Sequence, residues 1–410
     1  MERNKRNERV VYFQSIDDKE KCVGIYQDGK LIFDPDLNDT PIGTQRTWKY
    51  SGSIASEDVE YAWLVGGGRP LGEMCPSSLQ EDFERAASKM RAFKKTFELA
   101  KINFEEHCFF DLVPHDFLVK FLHLKNEITK HVFETHEKPS NYSHLAKAHQ
   151  LLYKIKNQRV NLNTNNCRGI FTKSVYRASA NRLMNGPRSI DYNLFGTVTG
   201  RLATHSNSFP ILTMSKQLRQ LQKPHNDWFM SLDYNGAELR TALSLSGQEQ
   251  PPYDIHAWNM ENVLPKGTVN DRETAKTIFF SWLYQAESTS IDEKMYQRSA
   301  IVDKYYDDEY VHTPLGRKIK VDKRKAFNYI IQSTTADLVI DRAIEIDEYL
   351  KEHKSFVSHL VHDEVVIDLA ADERHIAPEI KEIFSNNKLD KYLVNVNAGN
   401  DYYNLEKLNV

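Results

Sequence analysis

Residues 229–240, Phe-Met-Ser-Leu-Asp-Tyr-Asn-Gly-Ala-Glu-Leu-Arg, constrain this chain more than any other stretch. A short apolar strand ends on Asp233 and the chain then turns into a helix, which leaves one carboxylate where a metal ion can reach it. Downstream, residues 356–368, Phe-Val-Ser-His-Leu-Val-His-Asp-Glu-Val-Val-Ile-Asp, read as a β-hairpin whose tight turn carries His362, Asp363 and Glu364. If the two strands pair in one sheet, Asp233 and Asp363 can share a pair of divalent ions, the requirement of in-line phosphoryl or nucleotidyl transfer. Either acid alone reads better as an ordinary turn acid. Together, on apolar strands where an unpaired charge is costly, they argue for a cation.

Between them, Arg272, Lys276, Phe280 and Tyr284 recur every fourth residue. Each step turns a helix by about 400°, so the four form one slowly drifting stripe of two cations followed by two rings. An amphipathic helix with a solvated basic end has the same pattern; a nucleotide lying along it, triphosphate at the cations, is the sharper reading. Arg324, Asn328 and Gln332 form a second such stripe after a basic hairpin at 313–323, and a polar stripe of this kind is most often a solvent face.

With 410 residues there is room for two or three domains. A net charge of −3 excludes nucleic-acid binding by bulk charge, so phosphate contacts fall to local patches. Cys22, Cys75, Cys108 and Cys167 contain no C-x-x-C pair, which argues against zinc and disulfides and for a reducing compartment. No apolar run approaches the roughly 18 residues of a membrane span, so the expectation is a soluble, cytoplasmic protein.

Residues 10–63 read as β-rich, with a hairpin of 22–26 and 30–33 around Gln27-Asp28-Gly29. A loop from Val65 to Ser78 suggests a domain boundary. Helical stripes follow: Phe83, Met90, Phe93 and Phe97; Phe117, Phe121, Leu124, Ile128 and Val132 after Pro114; and Leu145, Ala148, Leu152 and Ile155 after Pro139. Residues 169–177 look strand-like, with cations at alternate positions that suit a solvated face or a duplex contact equally.

These motifs resemble the family A DNA polymerases, the group typified by bacterial DNA polymerase I. Residues 233–240 look like that family's motif A (D-Y-S-x-I-E-L-R), 272–284 like motif B, and 361–364 like motif C. Thr199-Gly200-Arg201-Leu202, Asp254-Ile255-His256 and residues 324–332 fall in the family's order as well. Any one alone is a chance match, whereas six in one order are not. The resemblance covers the chain from about Phe93 onward and is strongest between Thr197 and Asp368.

The resemblance implies an α+β right-hand architecture: a small β-rich N-terminal domain (1–75), a helical thumb (76–165), palm (166–250 and 313–410) and fingers (251–312). It implies a template-directed DNA polymerase that adds deoxynucleotides to a primer 3′-hydroxyl by two-metal nucleotidyl transfer. Asp233, Asp363 and the Tyr234 carbonyl would hold two Mg2+ ions, with Glu364 as a helper. Arg272, Lys276 and His256 would take the triphosphate, Lys276 also protonating pyrophosphate, while Phe280 and Tyr284 take sugar and base and Glu238 blocks a 2′-hydroxyl. Arg201, Arg324, Asn328, Gln332 and His362 would contact primer and template. A ribonucleotide or RNA-templated polymerase, or a DNA-binding protein with a silent polymerase fold, are the competing readings.

Departures from the family pattern are Gln285 in place of glycine, Ser333 and Thr335 within Q-G-T-A-A-D, and a short segment between Tyr284 and Thr313 that implies trimmed fingers. The compact length suggests a phage or viral enzyme acting in a host cytoplasm, with organellar or bacterial repair use as the alternative. Residues 11–20 supply acids but no strand-borne Asp-x-Glu of the kind a proofreading exonuclease needs, so a separate exonuclease or accessory protein would be the partner. The purified chain is therefore expected to release no mononucleotides from a mismatched primer end, and their release in a gel assay would overturn this reading.

Overall fold

The computed structural model describes residues 25–27, 30–32, 62–102, 112–165, 167–265, 267, 269–284, 291 and 293–409. The acids of 11–20, Cys22, Cys108 and Gln285, on which sequence expectations rest, lie outside the described residues. The chain divides into two compact units, Met1–Asn157 and Gln158–Val410.

In the first unit, β1 (Ile25–Gln27) and β2 (Lys30–Ile32) pair antiparallel, as the hairpin signal predicts. The three apolar stripes are the helices α1 (Ser77–Leu99), α2 (His115–Thr135) and α3 (Tyr142–Asn157). Phe83, Met90, Phe121, Ile128 and Val132 are buried together, and Leu145, Ala148, Leu152 and Ile155 of α3 are buried as well, so the stripes are core.

Near its start the second unit is helical where the sequence alternates like a strand. The segment read as a strand at 169–177 is helical, covered by α4 (Arg168–Thr172) and α5 (Ser174–Asn185). Ala180 and Leu183, at helical spacing, are buried while Val175, part of the apparent alternation, is 74% exposed. The helical period of the longer segment therefore overrides a short alternating run. Next come β3 (Tyr192–Asn193) and β4 (Ala203–Thr204), a short antiparallel pair that flanks the turn carrying Arg201.

The main elements that follow are β5 (Trp228–Tyr234), α6 (Ala237–Leu245), α7 (Ile255–Asn262), α8 (Arg272–Tyr284), α9 (Arg298–Tyr305), β6 (Tyr306–Asp307), β7 (Tyr310–His312), β8 (Lys318–Lys320), α10 (Lys323–Tyr349), β9 (Phe356–Val361), β10 (Glu364–Leu369), α11 (Ala377–Ser385), β11 (Val394–Gly399) and β12 (Glu406–Lys407). Strands β12-β11-β5-β10-β9 form one sheet in that order, all neighbours antiparallel. β5 is its central strand, and its consecutive residues Phe229 to Leu232 are all buried, the signature of a strand covered on both faces.

In this register Asp233 stands opposite Glu364 on one side and Asn395 on the other. α11 packs on β5 and β11, where the Tyr234 and Phe384 rings stack 4.3 Å apart and the Tyr234 hydroxyl donates to the Phe384 carbonyl at 2.6 Å. A second apolar cluster, centred on Phe279, Trp282, Tyr296 and Phe327, fixes α8 to α10. Among the described residues no helix is long and apolar enough to cross a membrane.

Because Phe384 holds the ring of the residue next to Asp233, Phe384→Ala is expected to lower unfolding free energy by about 3–5 kcal/mol in a urea titration. A loss below about 1 kcal/mol would show that α11 does not secure this end of β5.

Candidate active site

Asp233 is the penultimate residue of β5, and Asp363 the second residue of the two-residue turn between β9 and β10. His362, the first, has a φ of 58°, a left-handed conformation that glycine ordinarily supplies at this place in a hairpin. The strand register brings the two acids close enough for their charges to interact. Burial is the main cause that raises both carboxyls above their usual range. Asp363 and Glu364 add to the rise at Asp233, while Asn395 and Lys276 oppose it. At Asp363, Arg201, His362 and Lys276 oppose it.

Two half-buried acids, with Asp363 raising Asp233, form a site whose negative charge a further cation would offset. With the Tyr234 carbonyl they offer hard oxygen donors, a set that fits Mg2+, which keeps waters and takes phosphate oxygens for the rest of its shell. Among the described residues no three His, Cys, Asp or Glu side chains gather in metal-ligand geometry. Glu364 is engaged elsewhere: Ser231 Oγ donates to it at 2.5 Å and the Tyr402 hydroxyl at 2.7 Å. Neither partner was foreseen. Ser231 carried a usable signal, since it lies two residues before Asp233 and so on the same strand face.

Glu238, in the first turn of α6, is only 8% exposed. Arg201 Nη2 donates to it at 2.5 Å, the Tyr284 hydroxyl at 3.1 Å, and the Gln332 amide joins them. Burial raises this carboxyl more than those three donors lower it. Residues from four separate motifs thus meet on one side chain. Beside it lies a cavity of about 320 Å³, lined among others by Arg201, Glu238, His256, Phe280, Tyr284 and Asp363, a size that suits a small-molecule ligand. The Phe280 and Tyr284 rings stack near-parallel, 6.5 Å apart, and are partly exposed. The His256 ring meets Phe280 at 6.4 Å and its Nδ1 is buried with no protein partner. Burial lowers the His256 pKa, and the Arg272 and Lys276 charges add to this against the pull of Asp254.

Asp254 organises the other half of the site. It caps α7 by accepting from the His256 and Ala257 amides, takes the Asn235 side-chain amide at 2.9 Å, and receives Arg272 Nη2 at 2.9 Å. Partial burial works against its charge, yet the bonds from Arg272, Asn235 and Ala257 hold it well below the usual carboxylate range. One side chain therefore ties the turn after Asp233, the start of α7 and the first residue of α8. Lys276 follows one helical turn later. Its Nζ lies 5.9 Å from the Phe280 ring centre, and its charge reaches both Asp233 and Asp363.

Arg240, to which the sequence assigned no role, is 0% exposed and donates to the carbonyls of Asn235, Pro251 and Tyr253 at 2.7–2.9 Å. It pins the loop that ends in Asp254, and burial pushes its pKa down to about 10. On α10, Arg324 is exposed and bonds to Asp322, and Asn328 is half-buried. Of that stripe only Gln332 reaches the site, through Glu238.

No protein-family model matches the chain. It is 25% identical over 256 residues to the DNA polymerase I of Chloroflexus aurantiacus, a span of 49% of this chain and 27% of that protein. It is also 25% identical over 278 residues to the DNA polymerase of Bacillus phage SP01, covering 50% of this chain and 30% of the phage protein. The matched span is thus less than a third of the length of either relative. Among solved structures, the polymerase domain of Pol1 from M. smegmatis, in complex with DNA primer-template and dNTP, aligns with 83% of this chain and 67% of its own at a TM-score of 0.44 and 16% identity. By its curated relatives and its ordered motifs, the chain is similar to the bacterial and phage DNA polymerases of family A.

Proposed function

We propose that the chain is a template-directed DNA polymerase that extends a primer 3′-hydroxyl with deoxynucleotides, the sheet serving as palm, residues 251–312 as fingers and the helices of 76–165 as thumb. The observation that carries this reading is the gathering of Asp363, Arg201, Glu238, Phe280, Tyr284 and His256 around one cavity, with Asp233 and Lys276 adjoining them electrostatically. Two Mg2+ ions held by Asp233, Asp363 and the Tyr234 carbonyl would supply positive charge at the attacking and departing oxygens.

The chain's own groups divide the remaining work. Arg272 and His256 bind the triphosphate, and Lys276 carries the proton that the departing pyrophosphate needs. Asp254 keeps Arg272 oriented. Phe280 and Tyr284 stack against base and sugar. Glu238, fixed by its three donors, fills the space that a 2′-hydroxyl would need. Arg201 reads the minor-groove acceptors of the primer-end pair, and Arg324, Asn328, Gln332 and His362 contact primer and template. No proofreading step is assigned to these residues.

Primer extension with Mg2+ and both sugar types tests this directly. The parent protein should use deoxynucleotides, Asp233→Ala should lower the rate by about a thousandfold or more, and Glu238→Ala should admit ribonucleotides. Equal use of both sugars by the parent would overturn the assignment.

Metal binding also predicts a stability signature. A raised carboxyl pKa in the folded state stabilises fully below the ordinary carboxylate pKa, and this contribution is lost as pH rises through the raised value. In EDTA the melting temperature should therefore fall as pH rises above the carboxylate range, and Asp233→Asn should flatten that fall. At neutral pH in EDTA the variant should exceed the parent by about 1–2 kcal/mol. Added Mg2+ should raise the parent's melting temperature and leave the variant's unchanged; equal stabilisation of both would place the ion elsewhere.

A further inference from the structure

Arg201 projects from a turn whose Gly200 amide bonds to the Thr197 carbonyl at 3.3 Å, and whose Arg201 carbonyl accepts from Thr197 Oγ1 at 2.7 Å. Gly200 has a φ of 79° and lies against the guanidinium of Arg317; a β-carbon at this position would overlap Arg317 Cζ, Nη2 and Nε. Arg317 is itself fixed at both ends. Its amide donates to Thr313 Oγ1 at 3.0 Å and its carbonyl accepts from the Thr313 amide at 2.9 Å. Its side chain makes a two-point bond to Asp337 of α10, Nη2 to Oδ1 at 2.6 Å and Nε to Oδ2 at 3.1 Å. Asp337 is fully buried, and the Arg317 side chain is 10% exposed.

We propose that the Arg317–Asp337 pair positions Arg201 on Glu238, and thereby sets the choice of sugar in the polymerase reaction proposed above, on which that consequence rests. The flat guanidinium forms the floor of the turn, and Gly200 is the residue that both the positive φ and the close approach demand. Only arginine offers a planar fork that can bind a carboxylate along one edge while its face supports a backbone; lysine keeps the charge and loses the plane. α10 closes the ring, because it supplies both Asp337 under the turn and Gln332 directly to Glu238. Arg317 and Asp337 touch no substrate in this scheme; they act through Arg201. A buried pair that merely stabilised the fold would be a weak device, since hydrophobic residues of similar volume serve as well.

A double-mutant cycle separates positioning from bulk stability. The parent, Arg317→Lys, Arg201→Ala and the combined variant are assayed for kcat/KM with deoxynucleotides and ribonucleotides. Arg317→Lys is expected to lower the deoxy-to-ribo ratio at least about tenfold alone and less than about twofold in the Arg201→Ala background. Additive effects, or an unchanged ratio, overturn the proposal. Replacing both charges, Arg317→Met with Asp337→Leu, keeps the site filled without the fork and should lose the same selectivity; full selectivity in that variant also overturns it. Hydrogen exchange of the peptide 197–202 supplies a readout independent of catalysis, expected to quicken at least about tenfold in either variant while β5 is unchanged. If the parent extends no primer, the polymerase reading fails, and unchanged exchange at 197–202 separately rejects the positioning role.

Discussion

Across β5 and β10, Asp233 stands opposite Glu364, and this antiparallel register sets the turn residue Asp363 beside the end of the central strand. A slip of one residue would send every side chain of β10 to the other face, parting Asp368 from the His225 and Asn226 amides and Glu364 from the Ser231 and Tyr402 hydroxyls. The turn has only two residues, so once the register is set Asp363 has no freedom of placement. β11 on the far side brings Asn395 to Asp233, and α11 clamps Tyr234 from the sheet face. The acids are therefore held by packing and by the backbone ladder, and their mutual repulsion is paid for by the rest of the sheet.

A second constraint brings the cations to them. Asp254 joins the turn after Asp233 to Arg272, and Arg240 holds the loop that delivers Asp254. Behind α8, Trp282 packs on Phe327 of α10, so the helix presents Lys276, Phe280 and Tyr284 on its open side. Local rules are broken where these parts converge: a histidine at positive φ, two carboxyls with raised pKa, and an arginine buried among carbonyls. Such violations gather where a chain retains function against stability.

Much of this was legible in the sequence because it is periodic or local. The apolar run ending on Asp233, the hairpin around His362-Asp363 and the four-residue repeat of α8 each declare their element directly. What was not legible depends on partners distant in the chain. Glu364 and Asp363 are adjacent acids, and only the pleat together with Tyr402, 38 residues on, shows that Glu364 is anchored by hydroxyls. The buried seat of Arg240 and the Arg317–Asp337 pair give no local signal beyond ordinary charged residues. At 169–177 the alternation was too short to outweigh the helical burial of Ala180 and Leu183.

In the proposed reaction Asp233 and Asp363 jointly hold the divalent cations. Anomalous scattering from crystals of the full chain grown with Mn2+, primer-template and a non-hydrolysable deoxynucleotide tests it most directly. Joint coordination gives a peak at about 2.0–2.3 Å from an oxygen of each aspartate. Peaks confined to other carboxylates, or touching one of these two acids while the other points away, would contradict it.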